Sequence, residues 1–382
     1  MFVCAIICEY NPFHRGHEIQ IGRLRDMFPD ACILSLQSGN FVQRGEAAVI
    51  SKYRRAEAAV KCGADLVLEL PFPWCAQGAA YFARAGVDIL NSLGTDVLCF
   101  GSETGDLQAL TTAAKRMNSP EFIAECEKEE AGSMGSSVSH IAAVRSTYER
   151  LYGTRLPIGS NDTLGIEYLK SITATESRMK PICIRREGGF TATLSREHYK
   201  GCDFDSLSEN VPEKLVDLYR DIPPVSTDSL GSAILNFFRT HTPDELSVYA
   251  DLGGGLAGRL CRAANEATDY AGFCNLAATK KYTNARIRRA ILSAMLSVTE
   301  DRLKQKPVFT TLLAANNRGT DFLRSVKKTA DIEIVTRPAA GKTLTGSAGE
   351  QFSLSFAADT LWALAAGIPP SELTNERPYI VK

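Results

Sequence analysis

The first two hundred residues alternate apolar runs with helical patterns, and few architectures satisfy that cadence. Residues 2–8 read as a strand, 17–27 as a helix, 31–37 as a second apolar run and 52–61 as a second helix. Residues 65–70 form a third strand of the kind buried on both faces, followed by a helix over 77–90. A fourth strand over 96–100 ends at Gly101, and 181–185 make a fifth. Parallel neighbours need a crossover connection, so strand, helix, strand in this order predicts a parallel sheet with helices on both faces. Such sheets bind ligands outside the carboxyl ends of their strands. Attention therefore falls on the loops after Ile7, Gln37, Leu70 and Phe100.

The remainder reads differently. Residues 106–152 are helical and polar around a glycine-serine interruption, Gly132-Ser133-Met134-Gly135-Ser136-Ser137, which reads as a mobile loop. From 212 to 296 the pattern is helical throughout, in six stretches: 213–219, 228–239, 244–250, 256–264, 270–280 and 284–298. The last portion has strand-like runs at 308–313 and 332–335 around a helix over 320–327, then a helix after Gly349. A chain of 382 residues is expected to make two or three domains. The patterns divide it into a sheet domain over 1–205, a helical region over 206–300 and a small α/β part over 301–382.

Composition excludes little. With 23% charged and 45% hydrophobic residues the chain is an ordinary globular protein, and at net charge −1 any nucleic-acid contact must come from a local basic cluster. The eleven cysteines sit mostly in apolar runs, such as Cys4, Cys8, Cys32, Cys99 and Cys183, and read as reduced cytosolic core thiols. None has the paired spacing of a zinc site, so no metal site is expected. The apolar start, Met1-Phe2-Val3-Cys4-Ala5-Ile6-Ile7, lacks a basic leader and reads as a buried strand rather than a signal peptide. No apolar stretch approaches the roughly 20 residues that span a bilayer. A cytoplasmic protein is expected.

The strongest chemical signal is Glu9-Tyr10-Asn11-Pro12-Phe13-His14-Arg15-Gly16-His17, placed where the first strand ends and a helix begins. Two imidazoles share one side of the opening turn, Gly16 lets a phosphate approach the backbone, and the helix N-terminus offers free N–H groups to an anion. The pair can hydrogen-bond phosphate oxygens as an α-phosphate becomes five-coordinate. The plainer alternative is a pair of surface or capping histidines. Because the chain has only five histidines, two this close at a strand-to-helix turn favour the phosphate reading.

Other stretches are more open. Ser38-Gly39-Asn40-Phe41-Val42-Gln43-Arg44-Gly45-Glu46 follows the second strand and either contacts substrate or is a plain loop. Lys52, Arg54 and Arg55 at a helix start hint at an anionic neighbour. Lys280, Lys281, Arg286, Arg288 and Arg289 put five cations within ten residues of helix, with Tyr282 as a stacking platform. That suits RNA phosphates, or else a solvated basic face.

The His14-to-His17 pattern resembles the H-x-G-H signature of the nucleotidyltransferase superfamily, which implies a Rossmann-like fold. Longer stretches resemble the bacterial tRNA(Met) cytidine acetate ligase family: the Glu9-to-His14 and Ser38-to-Glu46 runs, Gly63-Ala64-Asp65-Leu66-Val67-Leu68-Glu69-Leu70-Pro71 and Cys99-Phe100-Gly101-Ser102-Glu103. So do Asn161-Asp162-Thr163-Leu164-Gly165-Ile166-Glu167-Tyr168-Leu169-Lys170 and Lys280-Lys281-Tyr282-Thr283-Asn284-Ala285-Arg286-Ile287, and the likeness covers most of the chain. The resemblance implies activation of acetate with ATP to acetyl-adenylate, accompanied by Mg²⁺, and transfer of acetyl to N4 of the wobble cytidine of elongator tRNA(Met). It implies His14 and His17 as catalytic residues. ATP binding would fall to Ile7, Cys8, Glu9, Tyr10, Asn11, Pro12, Phe13, His14, Arg15, Gly16, His17, Glu18, Ile19 and Gln20, with Gly101, Asn161 as a helix N-cap, and Arg186. The basic cluster at 280–289 would meet tRNA.

The chain departs from the family in two places. A Tyr-Pro pair is replaced by Ser136-Ser137-Val138-Ser139-His140. An aromatic-histidine pair and a Ser-Ala-x-x-Ile-Arg segment that helps hold triphosphate are read against Gly189-Phe190-Thr191 and Ser206-Leu207-Ser208-Glu209-Asn210-Val211. Two alternatives stay open: a nucleotidyltransferase acting on a small substrate, and a catalytically degenerate RNA-binding relative.

Overall fold

The computed structural model describes residues 1–132, 140–157, 159–186 and 189–381. Eight strands form one sheet: β1 (Val3–Cys8), β2 (Cys32–Ser38), β3 (Leu66–Leu70), β4 (Val97–Ser102), β5 (Lys180–Arg185), β6 (Phe309–Ala315), β7 (Glu333–Val335) and β8 (Tyr379–Ile380). Their order is β5-β4-β1-β2-β3-β6-β7, with β8 also on β6. The first five strands are mutually parallel, as the cadence predicts. The chain reverses its direction of growth at β1, which pairs with β2 on one side and β4 on the other. That is the switch point where an open α/β sheet leaves a crevice.

Four helices pack near the early strands: α1 (Arg15–Met27), α2 (Lys52–Lys61), α3 (Ala79–Ser92) and α4 (Leu107–Met117). Next come α5 (Pro120–Gly132), α6 (His140–Tyr152), α7 (Ser160–Ala174), α8 (Ala192–Lys200), α9 (Phe204–Asn210) and α10 (Glu213–Arg220). The helical region continues with α11 (Gly231–Thr240), α12 (Pro243–Leu246), α13 (Leu256–Glu266), α14 (Tyr270–Ala277), α15 (Asn284–Met295) and α16 (Glu300–Lys304). The last helices are α17 (Asn317–Val326), α18 (Pro338–Gly341), α19 (Gly346–Ala366) and α20 (Pro370–Asn375). The glycine-serine interruption and the Ser136-to-His140 departure fall largely on residues 133–139, outside the described residues.

Period-2 alternation along the strands sets the two cores. Val3, Ala5 and Ile7 of β1 face one side with Leu34, Leu36, Leu66 and Leu68. Cys4, Ile6 and Cys8 face the other with Ile21, Leu24, Ala56 and Tyr219 from α1, α2 and α10. The first core runs without a break into the helical region, through Leu230, Leu256, Phe273, Ile287 and Leu303. Most cysteines are buried and all that are described are free, consistent with packing as small apolar residues.

The sequence sets residues 301–382 apart as a small α/β part. Its elements are α/β, and they complete the N-terminal sheet instead of building a second one. β6 runs antiparallel beside β3, pairing Leu66 with Ala315 and Val67 with Ala314. β6 is buried at every position because it is interior to that sheet. Among the described residues no helix is long and apolar enough to cross a membrane.

Candidate active site

A cavity of about 630 Å³ opens at the carboxyl ends of β1 and β4. Its centre is the turn from β1 into α1. His14 is the N-cap of α1, its Nδ1 accepting the Gly16 N–H at 3.1 Å, while the His14 N–H donates to Nδ1 of His17 at 3.2 Å. The two imidazoles thus form a reciprocal capping box, with rings stacked at a centroid separation of 3.7 Å. With both Nδ1 atoms accepting, each neutral ring carries its proton on Nε2. Burial, reinforced by the Arg186 and Arg196 charges, lowers His14 to a pKa of about 3. Burial, the His14 ring and Arg186 push His17 well down too. The pair is therefore neutral and presents two N–H donors. Gly16 has a tighter constraint than phosphate access: a Cβ there would lie 2.9 Å from Cε1 of His14.

Of the β1–α1 stretch, Ile7, Cys8, Glu9, Tyr10, Asn11, His14, Gly16, His17, Ile19 and Gln20 line the cavity. Four residues do not. Pro12 and Phe13 are buried beneath the turn, where the Phe13 carbonyl accepts the Tyr219 hydroxyl at 3.1 Å. Arg15 donates outward to the carbonyls of Ser208 and Glu209, at 3.1 and 3.0 Å. Glu18 pairs with Lys214 at 2.8 Å. For Arg15 and Glu18 the helical turn explains the difference, since neighbours in sequence point 100° apart around α1.

Gly101, Asn161 and Arg186 come together on the β4 side of the cavity. A Cβ on Gly101 would stand 3.4 Å from Cγ of Arg186. Asn161 is not the N-cap; Gly159 holds that position and α7 begins at Ser160. The Asn161 amide donates instead to Oε1 of Glu103 at 2.7 Å, as its backbone N–H does at 3.1 Å, and Oε2 accepts the Asp162 N–H at 2.9 Å. Against the cost of burial, these donors hold the Glu103 carboxyl below its usual range.

The loop after β2 is a wall of the cavity, contributing Val42, Gln43, Arg44 and Glu46. Of the cations behind it, Lys52 and Arg54 have the anionic neighbours that the sequence suggests, in carboxylates of the protein itself, whereas Arg55 meets backbone carbonyls. Arg55 is fully buried and donates to carbonyls of Glu9, Ser38, Gly39 and Ile50, lacing the β1 and β2 loops together. Lys52 lies between Glu69 at 2.7 Å and Asp359 at 2.6 Å, and Arg54 pairs with Glu57 at 2.8 Å.

Of the α8 wall the sequence singles out Phe190 and Thr191 as a departure from the family, and Ala192, Thr193 and Arg196 not at all. Phe190, Thr191, Ala192, Thr193 and Arg196 line the cavity, whereas α9, which holds Ser206 to Asn210, does not. Arg196 donates to the Asn11 carbonyl at 3.0 Å. The small-Ala-x-x-x-Arg spacing of Thr191-Ala192-Thr193-Leu194-Ser195-Arg196 was the available signal. The Ser206–Val211 segment read as a departure stands away from this wall, which is built by residues of 190–196.

The basic cluster stands at the edge of the same site. Arg288 pairs with the cavity-lining Glu46, and Gly45, at φ +74°, packs so closely that a Cβ would lie 2.6 Å from the Arg289 nitrogen. Arg286 and Arg289 face Asp251 at 3.8 and 3.3 Å, while Lys280 and Lys281 are exposed. Tyr282 is no open platform, because it is buried and its hydroxyl donates to the Gly254 carbonyl. Among the described residues no group of three or more His, Cys, Asp or Glu is arranged to hold a metal ion.

Comparison with known proteins matches residues 1–376 to the family model described as HIGH Nucleotidyl Transferase. A tRNA(Met) cytidine acetate ligase of Alkaliphilus metalliredigens is 30% identical, covering 96% of this chain and 94% of that one. The ligase of Syntrophotalea carbinolica is 33% identical over 88% of this chain and 85% of its own. The crystal structure of Thermotoga maritima TmcAL bound with alpha-thio ATP superposes over 100% of both chains, with a TM-score of 0.90 at 28% identity. Matched along nearly its whole length by these relatives and with its paired histidines at the head of α1, the chain belongs to the tRNA(Met) cytidine acetate ligase family of HIGH nucleotidyltransferases.

Proposed function

We propose that this protein joins acetate to the wobble cytidine of elongator tRNA(Met) in two steps within one cavity. The observation that carries the reading is the neutral, stacked His14–His17 pair at the phosphate-binding end of α1, in a chain whose relatives bear that ligase name. In the first step an acetate oxygen attacks the α-phosphorus of ATP, an O–P bond forms and pyrophosphate leaves. The Nε2–H groups of His14 and His17 and the Arg186 and Arg196 guanidiniums, set at the positive end of the α1 dipole, stabilise the added charge. Gly101 and Asn161 lie where ribose or adenine would rest. Mg²⁺ would accompany ATP through oxygens of the triphosphate, since such ions keep most of their water and need few protein ligands.

In the second step the cytidine amine takes acetyl from the adenylate and AMP departs. Lys280 and Lys281 are the open cations for tRNA phosphates, with Arg286, Arg288 and Arg289 beside them at the cavity edge. These substrates meet in the cytoplasm. The Ser206–Val211 stretch, whose change favours a degenerate relative, stands outside the cavity, which supports an active enzyme. Acetate-dependent exchange of labelled pyrophosphate into ATP tests the first step. Exchange that needs acetate and disappears in H14A supports it; an enzyme with no acetate-dependent exchange, with or without tRNA, contradicts it.

A further inference from the structure

Transfer of an acetyl group to an exocyclic amine makes a demand that adenylation does not: a proton must leave nitrogen. As the N4–C bond forms, the C–O bond to the adenylate breaks and its electron pair departs on the AMP phosphate. One N–H proton must pass to a base. Among the described residues, the carboxylates lining the cavity are Glu9, Glu46 and Glu103. Glu46 is engaged by Arg288, and both oxygens of Glu103 accept hydrogen bonds from the first turn of α7. The two histidines offer no vacant nitrogen, since each Nδ1 accepts a backbone N–H and each Nε2 holds its proton.

Glu9 differs from all of these. It follows the last residue of β1 and opens the turn that carries His14, so it flanks the place where the α-phosphate would lie. Its Oε1 accepts the Gln43 N–H at 3.0 Å, which fixes the carboxyl, and Oε2 takes no hydrogen bond among the described residues. We propose that Glu9 is the general base that accepts the cytidine N4 proton during acetyl transfer, a role that rests on the acetyl-transfer reading above. The groups facing it are Arg196 from α8, Arg55 from α2, Arg44 from the loop after β2, Tyr168 from α7 and Cys8 on β1. Burial outweighs the three arginines and raises the Glu9 carboxyl above the ordinary carboxylate range, which strengthens it as a base. Burial lifts the Tyr168 phenol and Cys8 thiol far higher, so both stay protonated.

The test separates the two steps. Synthetic acetyl-adenylate and tRNA(Met) are mixed with excess enzyme, and acetylcytidine is followed over a single turnover from acid to neutral pH. E9Q should transfer acetyl about 10²- to 10⁴-fold more slowly than wild type, a loss at least about tenfold larger than any it causes in pyrophosphate exchange. E9D should recover part of the rate. Wild-type transfer should climb with pH through one ionisation that E9Q lacks. Transfer by E9Q within about threefold of wild type, or with the climb intact, overturns the proposal and leaves the departing phosphate as the proton acceptor. Equal losses of exchange and transfer also overturn it, by assigning Glu9 to nucleotide binding. Should E9Q not fold, a pH-independent wild-type transfer overturns it alone. Wild-type enzyme that exchanges pyrophosphate but never acetylates tRNA overturns the acetyl-transfer reading, and this proposal with it.

Discussion

Each Nδ1 of the histidine pair is committed to capping α1, so fold and chemistry draw on the same two rings. H14A or H17A should each lower acetate-dependent exchange by about 10²- to 10³-fold, the range for losing one donor to transition-state charge. G16A should act similarly without touching a donor, because its Cβ meets the His14 ring; activity at saturating ATP reads that. The pair also carries a pH signature. Both folded pKa values lie below the unfolded value near 6.5, so the unfolded chain takes up protons first. The stability contributed by the neutral rings is complete above about pH 6.5 and is lost as pH falls towards the His14 value of about 3. Urea unfolding of wild type and H14Q at pH 7 and 5 should show wild type losing more, by roughly 1 kcal/mol per unit for this histidine. At this scale the sequence was informative where a residue type was unusual for its place, as with two of five histidines at one turn. It was poor on direction. Arg15 and Glu18 stand within the motif yet face α9 and α10, because a helix turns each successive side chain away from the last.

Among the elements, α19 does more for the site than its distance along the chain suggests. Its Asp359 accepts from Lys52 of α2 at 2.6 Å and from the Asn40 amide at 2.9 Å, and its Trp362 donates to the Ala48 carbonyl at 2.8 Å. These contacts hold the loop after β2 from behind. Burial opposes the Lys52 charge, but Asp359 and Glu69 more than compensate and raise its pKa. D359A leaves Lys52 paired with Glu69 but takes the acceptor from the buried Asn40 amide and one of two from Lys52, and should destabilise by about 1–3 kcal/mol, measured by urea unfolding. A loss under about 1 kcal/mol would contradict the arrangement. Strand existence was legible from apolar runs, since the first five strands needed only their own pattern. The partner of β6 was not, because a run buried on both faces carries no record of which strand lies beside it.

Across the whole molecule, one core joins the sheet to the helical region, and the basic cluster of 280–289 comes to rest beside the cavity. Sequence composition, at net charge −1, gave no hint of that placement; it follows from Glu46 and Gly45 docking on α15. The exposed lysines make the sharper test, since the arginines already face Asp251 and Glu46. K280E/K281E should weaken tRNA binding and flatten its salt dependence while leaving acetate-dependent exchange at the wild-type rate. The central claim is that one cavity activates acetate and delivers it to tRNA. Carboxyl-labelled acetate, ATP and elongator tRNA(Met) are incubated with the protein, and the tRNA is digested to nucleosides. The account predicts ATP-dependent label in N4-acetylcytidine at the wobble position, lost in H14A; label that never enters tRNA, or enters without ATP, contradicts it.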